Sequence, residues 1–247
     1  MAWLLLATVF LPLFPLSMVL NATLGRFSHP LARCMLLLLW PQIGVLAIHL
    51  AGTTIPSAFL PWALLSAGLY ALRLLTVSDL GVYAGFLASS SLALTWGLAI
   101  SGADVAGLSF FAFCFSFPAA LLTLLVGPLS KRFGAAYAGV CSGLGSALPR
   151  LSSVLVLTIL AGIATAPFPT FFAQLTLLSK MNWSGALAVL AIWLIWGFGA
   201  ARLLRGFVFG KPSATSAVDI GRSAVWALAI SFGIFTLASL YLAGGAA

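Results

Sequence analysis

Few side chains in this 247-residue sequence can do acid–base or metal chemistry. It holds three acidic residues, none of them glutamate, two histidines and three cysteines, against eleven lysines and arginines. Asp79, in RLLTVSDLG, opens an apolar run six residues after Arg73. A carboxylate there serves either as a proton or cation relay at a membrane mouth or as the N-cap of a helix. Asp104, in SGADVAG, precedes another apolar run, where capping accounts for it. His49 lies near the end of an apolar run and His29 in a basic loop, and neither has a second ligand at metal-binding spacing. Lys180 can carry its ammonium to an interface along its apolar stem. Cys34, Cys114 and Cys141 have apolar or small neighbours and no CxxC, the pattern of buried small side chains rather than of metal ligands. Gln174 does not titrate, but it sits deep in an apolar run, placed to hydrogen-bond water or freed backbone carbonyls. These residues predict no metal site and no cofactor.

The elements that must position them are membrane helices. Of the chain, 63% is hydrophobic and 6% charged, against roughly 25% charged in a soluble domain. Apolar runs of about 20 residues suit spanning helices and are too continuous for barrel strands. The sequence therefore predicts an all-α polytopic transmembrane bundle, one integral membrane domain over residues 1–247. Eight spans are expected, near 3–24, 34–51, 57–76, 80–101, 105–129, 151–179, 184–208 and 223–243. The first lacks a basic leader and runs on past the apolar core of a signal peptide.

The net charge of +8 is spread along the chain, which argues for topology signals rather than nucleic-acid binding. With eight spans, ten of the eleven basic residues fall in or beside odd-numbered loops, leaving Lys180 alone on the other side. Cytoplasmic loops are the ones enriched in Lys and Arg. Both termini are thus expected outside a cytoplasmic (inner) membrane. The glycine-rich segment 135–148 would reach only about 21 Å as a helix and is expected as a surface loop or short helix. Gly81 with Gly85, and Gly139 with Gly143, read as close-packing signals, and Trp3 and Trp183 as interfacial anchors.

One span is too long. Residues 151–179 would make a straight helix of about 43 Å, against a hydrocarbon core of about 30 Å. Within it LAGIATAPFPTFFAQLTLL (160–178) places Pro167 and Pro169 one residue apart, each removing a backbone donor. A break there is expected, either as a kink held by packing or as a site where freed carbonyls meet an ion or water. Pro118, in the run 105–129, is a further candidate break.

The run from Leu160 resembles the "LAG-PP-SGFF-K-IL" pattern of the antiporter-like membrane subunits of respiratory complex I, Mrp cation/proton antiporters and membrane-bound hydrogenases. In the same order, PAALLTLLVGPLSKRFG (118–134), AGVCSGLGSALPRLSS (138–153) and WLIWGFGAARLLRGFVFGKPS (193–213) are similar to other segments of that family. The resemblance covers about residues 70–213. Family members have about fourteen helices, so it implies a shortened relative, with one of two symmetry-related broken helices missing or replaced. It also implies a relay of buried Lys, His and Glu residues, from which this chain departs. Aligned on Gly127, the family's His and Lys positions hold Phe115 and Ala119; aligned on Phe171 and Phe172, its acidic or Lys position holds Gln174.

The expectation is a non-catalytic membrane subunit of a larger proton- or cation-linked complex, bounded by lipid and by other membrane subunits, and not an enzyme by itself. An active ion-translocating subunit using Asp79, Gln174 and water is the alternative. A third reading is an independent small-solute carrier, for which the sequence would need two related halves.

Overall fold

A computed structural model describes residues 2–211 and 218–244, and its named elements are all helices. They are α1 (Ala2–Phe10), α2 (Met18–Arg26), α3 (Pro30–Ala51), α4 (Phe59–Leu74), α5 (Leu80–Ala93), α6 (Thr95–Ile100), α7 (Val105–Phe133), α8 (Leu144–Ala147), α9 (Pro149–Gly162), α10 (Pro169–Lys180), α11 (Trp183–Val208) and α12 (Arg222–Gly244). Among the described residues four stretches are long and apolar enough to cross a membrane: Pro30–Ala51, Leu80–Ile100, Val105–Phe133 and Trp183–Val208. Of these, Leu80–Ile100 is 83% buried, against 33% for Pro30–Ala51 and for Trp183–Val208. The α5–α6 segment is therefore the centre of the bundle, and α3 and α11 present much of their apolar surface outward.

Polar residues at the ends set where helices begin. Asp79 Oδ1 accepts from Val82 N at 2.8 Å, Asp104 Oδ1 from Gly107 N at 3.0 Å and Asn182 Oδ1 from Gly185 N at 3.0 Å, starting α5, α7 and α11. Each satisfies a backbone donor that the first turn leaves without an intrahelical partner. The break expected near Pro167 and Pro169 is present: α9 ends at Gly162 and α10 starts at Pro169.

Two expectations need correction. The first apolar run, 3–24, is not one helix. It stops at Phe10 and resumes at Met18, because Pro12 and Pro15 remove donors just where the helix would continue. The chain thus carries two helices interrupted at proline pairs where the sequence reading has one. Pro118 breaks nothing. Helix α7 runs through it and through Pro128, and the Pro118 ring instead lies against Gly162, at the end of α9.

The loops at one end of the bundle interlock. Leu80 N donates to Ala136 O and Ala138 N to Ser78 O, both at 3.0 Å, and Gly143 N donates to Phe209 O at 3.2 Å. Arg132 Nε reaches Val218 O at 2.8 Å, and Asp219 accepts from the backbone N of Arg150 and Leu151 at the start of α9. The segment 135–148 is accordingly a surface loop containing the four-residue α8, as its composition predicts. The opposite end holds Lys180. There the end of the Met181 side chain lies over Gly97 of α6 and would have to swing aside to admit a Cβ.

Candidate functional site

The two interrupted helices expose backbone groups inside the bundle, and side chains from neighbouring helices take them up. At the first interruption Trp40 Nε1 donates to Val9 O (3.2 Å), Trp96 Nε1 to Leu11 O (3.0 Å) and Trp62 Nε1 to Phe14 O (2.6 Å), while Ser66 Oγ accepts from Phe14 N (2.9 Å). At the second, Thr165 Oγ1 bonds Leu160 O (3.0 Å), Thr170 Oγ1 bonds Ala161 O (2.5 Å) and Trp193 Nε1 bonds Ile163 O (2.8 Å). An indole N–H is a donor without acceptor capacity, suited to orphan carbonyls. The carbonyls that Gln174 was expected to meet are therefore already occupied.

At the end with the interlocked loops lies a cavity of ≈560 Å³, whose polar lining includes Asn21, Arg33, Asp79, Thr123, Ser130 and Tyr137. Asp79 Oδ1 and Arg33 Nη1 both come within 3.4 Å of the point where a Gly81 Cβ would stand. Arg33 Nε is turned to Phe27 O at 2.6 Å. The aspartate thus caps α5, one of its two sequence readings, and its residue also lines a cavity. Gly85, one turn on, lets Asn21 approach, its Oδ1 lying 3.0 Å from a Gly85 Cβ position. Close packing at Gly81 and Gly85 therefore serves the wall of this cavity.

From the cavity, polar side chains continue inward along α5. Asn21 Nδ2 donates to Ser89 Oγ at 3.0 Å, Ser17 Oγ pairs with Tyr70 OH at 2.6 Å, and Trp196 Nε1 donates to Ser90 Oγ at 2.9 Å. Tyr83 OH, Thr95 Oγ1, Ser116 Oγ and both amide atoms of Gln174 are buried without a hydrogen-bond partner in the protein. These groups belong to α5, α6, α7 and α10, which pack on one another. Buried polar atoms are nearly always partnered by protein or by ordered water. Three serines in sequence (89–91) and Asn21 within apolar runs were the signals of this polar interior. The loners Tyr83, Thr95 and Ser116 gave none.

The three positions that the resemblance singled out are all buried. Phe115 is buried and stands edge-on to Trp196 at 5.8 Å, Ala119 is buried, and Gln174 is fully enclosed. The remaining candidates are not drawn together with them. His49 is exposed near the end of α3, Lys180 is exposed at the end of α10, and Asp104 and His29 are exposed. Among the described residues no group of three His, Cys, Asp or Glu side chains could hold a metal ion. All three cysteines are free and buried. In the loop before α8, burial pushes the Cys141 thiol up to about 11, and its Sγ bonds Ala135 O at 3.1 Å.

No protein-family model matches the sequence, and no curated protein matches it. Solved structures do match in fold. A chain of the membrane-bound sulfane sulfur reductase, an archaeal respiratory membrane complex, has 17% identity and a TM-score of 0.80 over 96% of this chain and 52% of its own. A chain of respiratory complex I from Thermus thermophilus has 19% identity and a TM-score of 0.73 over 95% and 53%. A chain of the Mrp complex from Dietzia sp. has 15% identity and a TM-score of 0.74 over 97% and 56%. The chain shares its fold with a chain of each of these complexes and spans about half the length of the chains it matches.

Proposed function

We propose that this chain is a non-catalytic integral membrane subunit of a larger proton- or cation-linked complex. Its fold relatives are chains of such assemblies, which supports a place beside other membrane subunits. The observation that carries the non-catalytic part is the chemistry of its interior. Among the described residues the buried polar groups are those of Ser, Thr, Gln, Tyr, Trp and Cys, and no Asp, Lys, Arg or His is buried. A proton relay needs groups that titrate, and hydroxyls and amides do not do so near neutral pH. The chain would supply packing surface, an anchor and lateral contacts, and would not be an enzyme alone.

In this reading the bundle makes eight crossings. Helices α1 with α2, α5 with α6, and α9 with α10 each make one, and α3, α4, α7, α11 and α12 make the others. The basic loops lie on the cytoplasmic side of the inner membrane and both termini outside, following the enrichment of Lys and Arg in cytoplasmic loops.

A second reading has its own support. The cavity at Asp79, the Asn21–Ser89 bond and the unpartnered Tyr83, Ser116 and Gln174 would suit a hydrated path entered from the basic end. Reconstitution separates the two. The purified chain in liposomes, without partners, is expected to show no proton or cation uptake above empty vesicles. Uptake abolished by Asp79→Asn would replace the preferred reading by the second.

A further inference from the structure

The outward side of α11 carries two adjoining features that the proposed function does not use. Leu190, Trp193, Leu194, Gly197, Phe198 and Ala201 line an open apolar groove of ≈510 Å³. Steps of three and four residues put them on one side of the helix. Gly197 forms its floor, since a Cβ there would meet nothing within 4 Å. Leu194 and Phe198, 64% and 63% exposed, rise beside it.

Arg205 is one turn beyond Ala201 on that side, and with Arg202 it borders a second cavity of ≈360 Å³ that also touches Ser78, Gly139 and Ser142. Among the described residues no acidic side chain lines this cavity. Arg202 is held in place by Nη2, which donates to Val77 O and Ser78 Oγ, both at 3.0 Å. Arg205 is exposed and makes no hydrogen bond or ion pair among the described residues. An apolar trough thus ends one turn short of Arg205, which borders a pocket with two guanidinium groups and no carboxylate among the described lining residues.

We propose that this side of α11 binds one anionic phospholipid, an acyl chain lying in the groove over Gly197 and Ala201 and the phosphate held between Arg205 and Arg202. Guanidinium is the side chain best matched to phosphate oxygens, and basic pockets beside membrane helices recognise anionic headgroups. The apolar groove selects a lipid over a soluble phosphate, and the arginine pair selects an anionic headgroup over a neutral one. The site depends on the bundle lying in a membrane and not on whether the chain conducts ions.

Native mass spectrometry of the purified chain in neutral detergent reads this directly, with dioleoyl phosphatidylglycerol, dioleoyl phosphatidylcholine and inorganic phosphate as probes. One phosphatidylglycerol is expected to remain bound with a preference over phosphatidylcholine of about fivefold or more, from about 1 kcal/mol per basic residue. Inorganic phosphate should not displace it. Arg205→Ala, which removes no hydrogen bond or ion pair among the described residues, should lower the preference about fivefold, whereas Arg26→Ala, on α2, should not change it. Gly197→Leu should lose both lipids while the unfolding temperature holds. Equal retention of the two lipids, an unchanged preference in Arg205→Ala, or displacement by inorganic phosphate would each overturn the proposal. So would a photoreactive residue in place of Leu194 that crosslinks in native membranes only to protein, which would assign the groove to a partner helix.

Discussion

Gln174 shows how far a single side chain can be read from its place. Both of its amide atoms are buried without a protein partner, while the carbonyls of the nearby break are bonded by Thr165, Thr170 and Trp193. Leaving an amide unpaired costs about 1–3 kcal/mol. Gln174→Leu, of similar size, is therefore expected to raise the thermal unfolding temperature in detergent. A fall instead would mean that ordered water satisfies the amide, and would strengthen the hydrated-path reading. Asp79 shows the converse. Its carboxylate caps α5 and also lines the cavity beside Arg33, so helix start and cavity wall are one residue's work.

At the scale of the element, what holds an interrupted helix is the set of donors that neighbouring helices aim at it. Trp96 is fully buried, and its indole is 3.0 Å from Leu11 O. Trp96→Phe keeps most of the ring and leaves that carbonyl unbonded, at a cost of about 1–3 kcal/mol. Chemical or thermal unfolding would register it, and an unchanged midpoint would show that the interruption does not need this bond. The second interruption is expected to tolerate more. Because Thr165, Thr170 and Trp193 bond its carbonyls, Pro167→Ala with Pro169→Ala should disturb local fit only, leaving assembly near normal by co-purification in mild detergent. Loss of assembly or of transport in the double variant would mean that the break itself is used.

For the whole molecule, the interlocked basic loops and the lone Lys180 at the far end give the bundle an unmistakable polarity. A cysteine in place of the exposed Lys131 is expected to react with an impermeant maleimide only from the cytoplasmic side, measured on right-side-out and inverted vesicles. Reaction from the periplasmic side alone would invert the arrangement and remove the eight-crossing count. The polar interior and the outward-facing α3 and α11 fit a chain that meets lipid and neighbours on its flanks and keeps its centre closed.

Composition alone determined the helical membrane class, because 6% charge and apolar runs of about 20 residues leave no other way to satisfy a backbone in lipid. Local residue chemistry determined the caps at Asp79 and Asp104 and the break at Pro167 and Pro169, since a cap or a missing donor acts within one turn. The same rule overreaches at Pro118, through which α7 runs on with the ring beside Gly162. At Pro12 and Pro15 the same missing donors divide an apolar run whose length alone suits one span. Only the tertiary structure decided which distant groups meet: Asn21 with Ser89, three indoles with the carbonyls of the first interruption, Arg33 beside Asp79. Those pairings join residues far apart in sequence, and no local periodicity encodes a contact that exists only once helices cross.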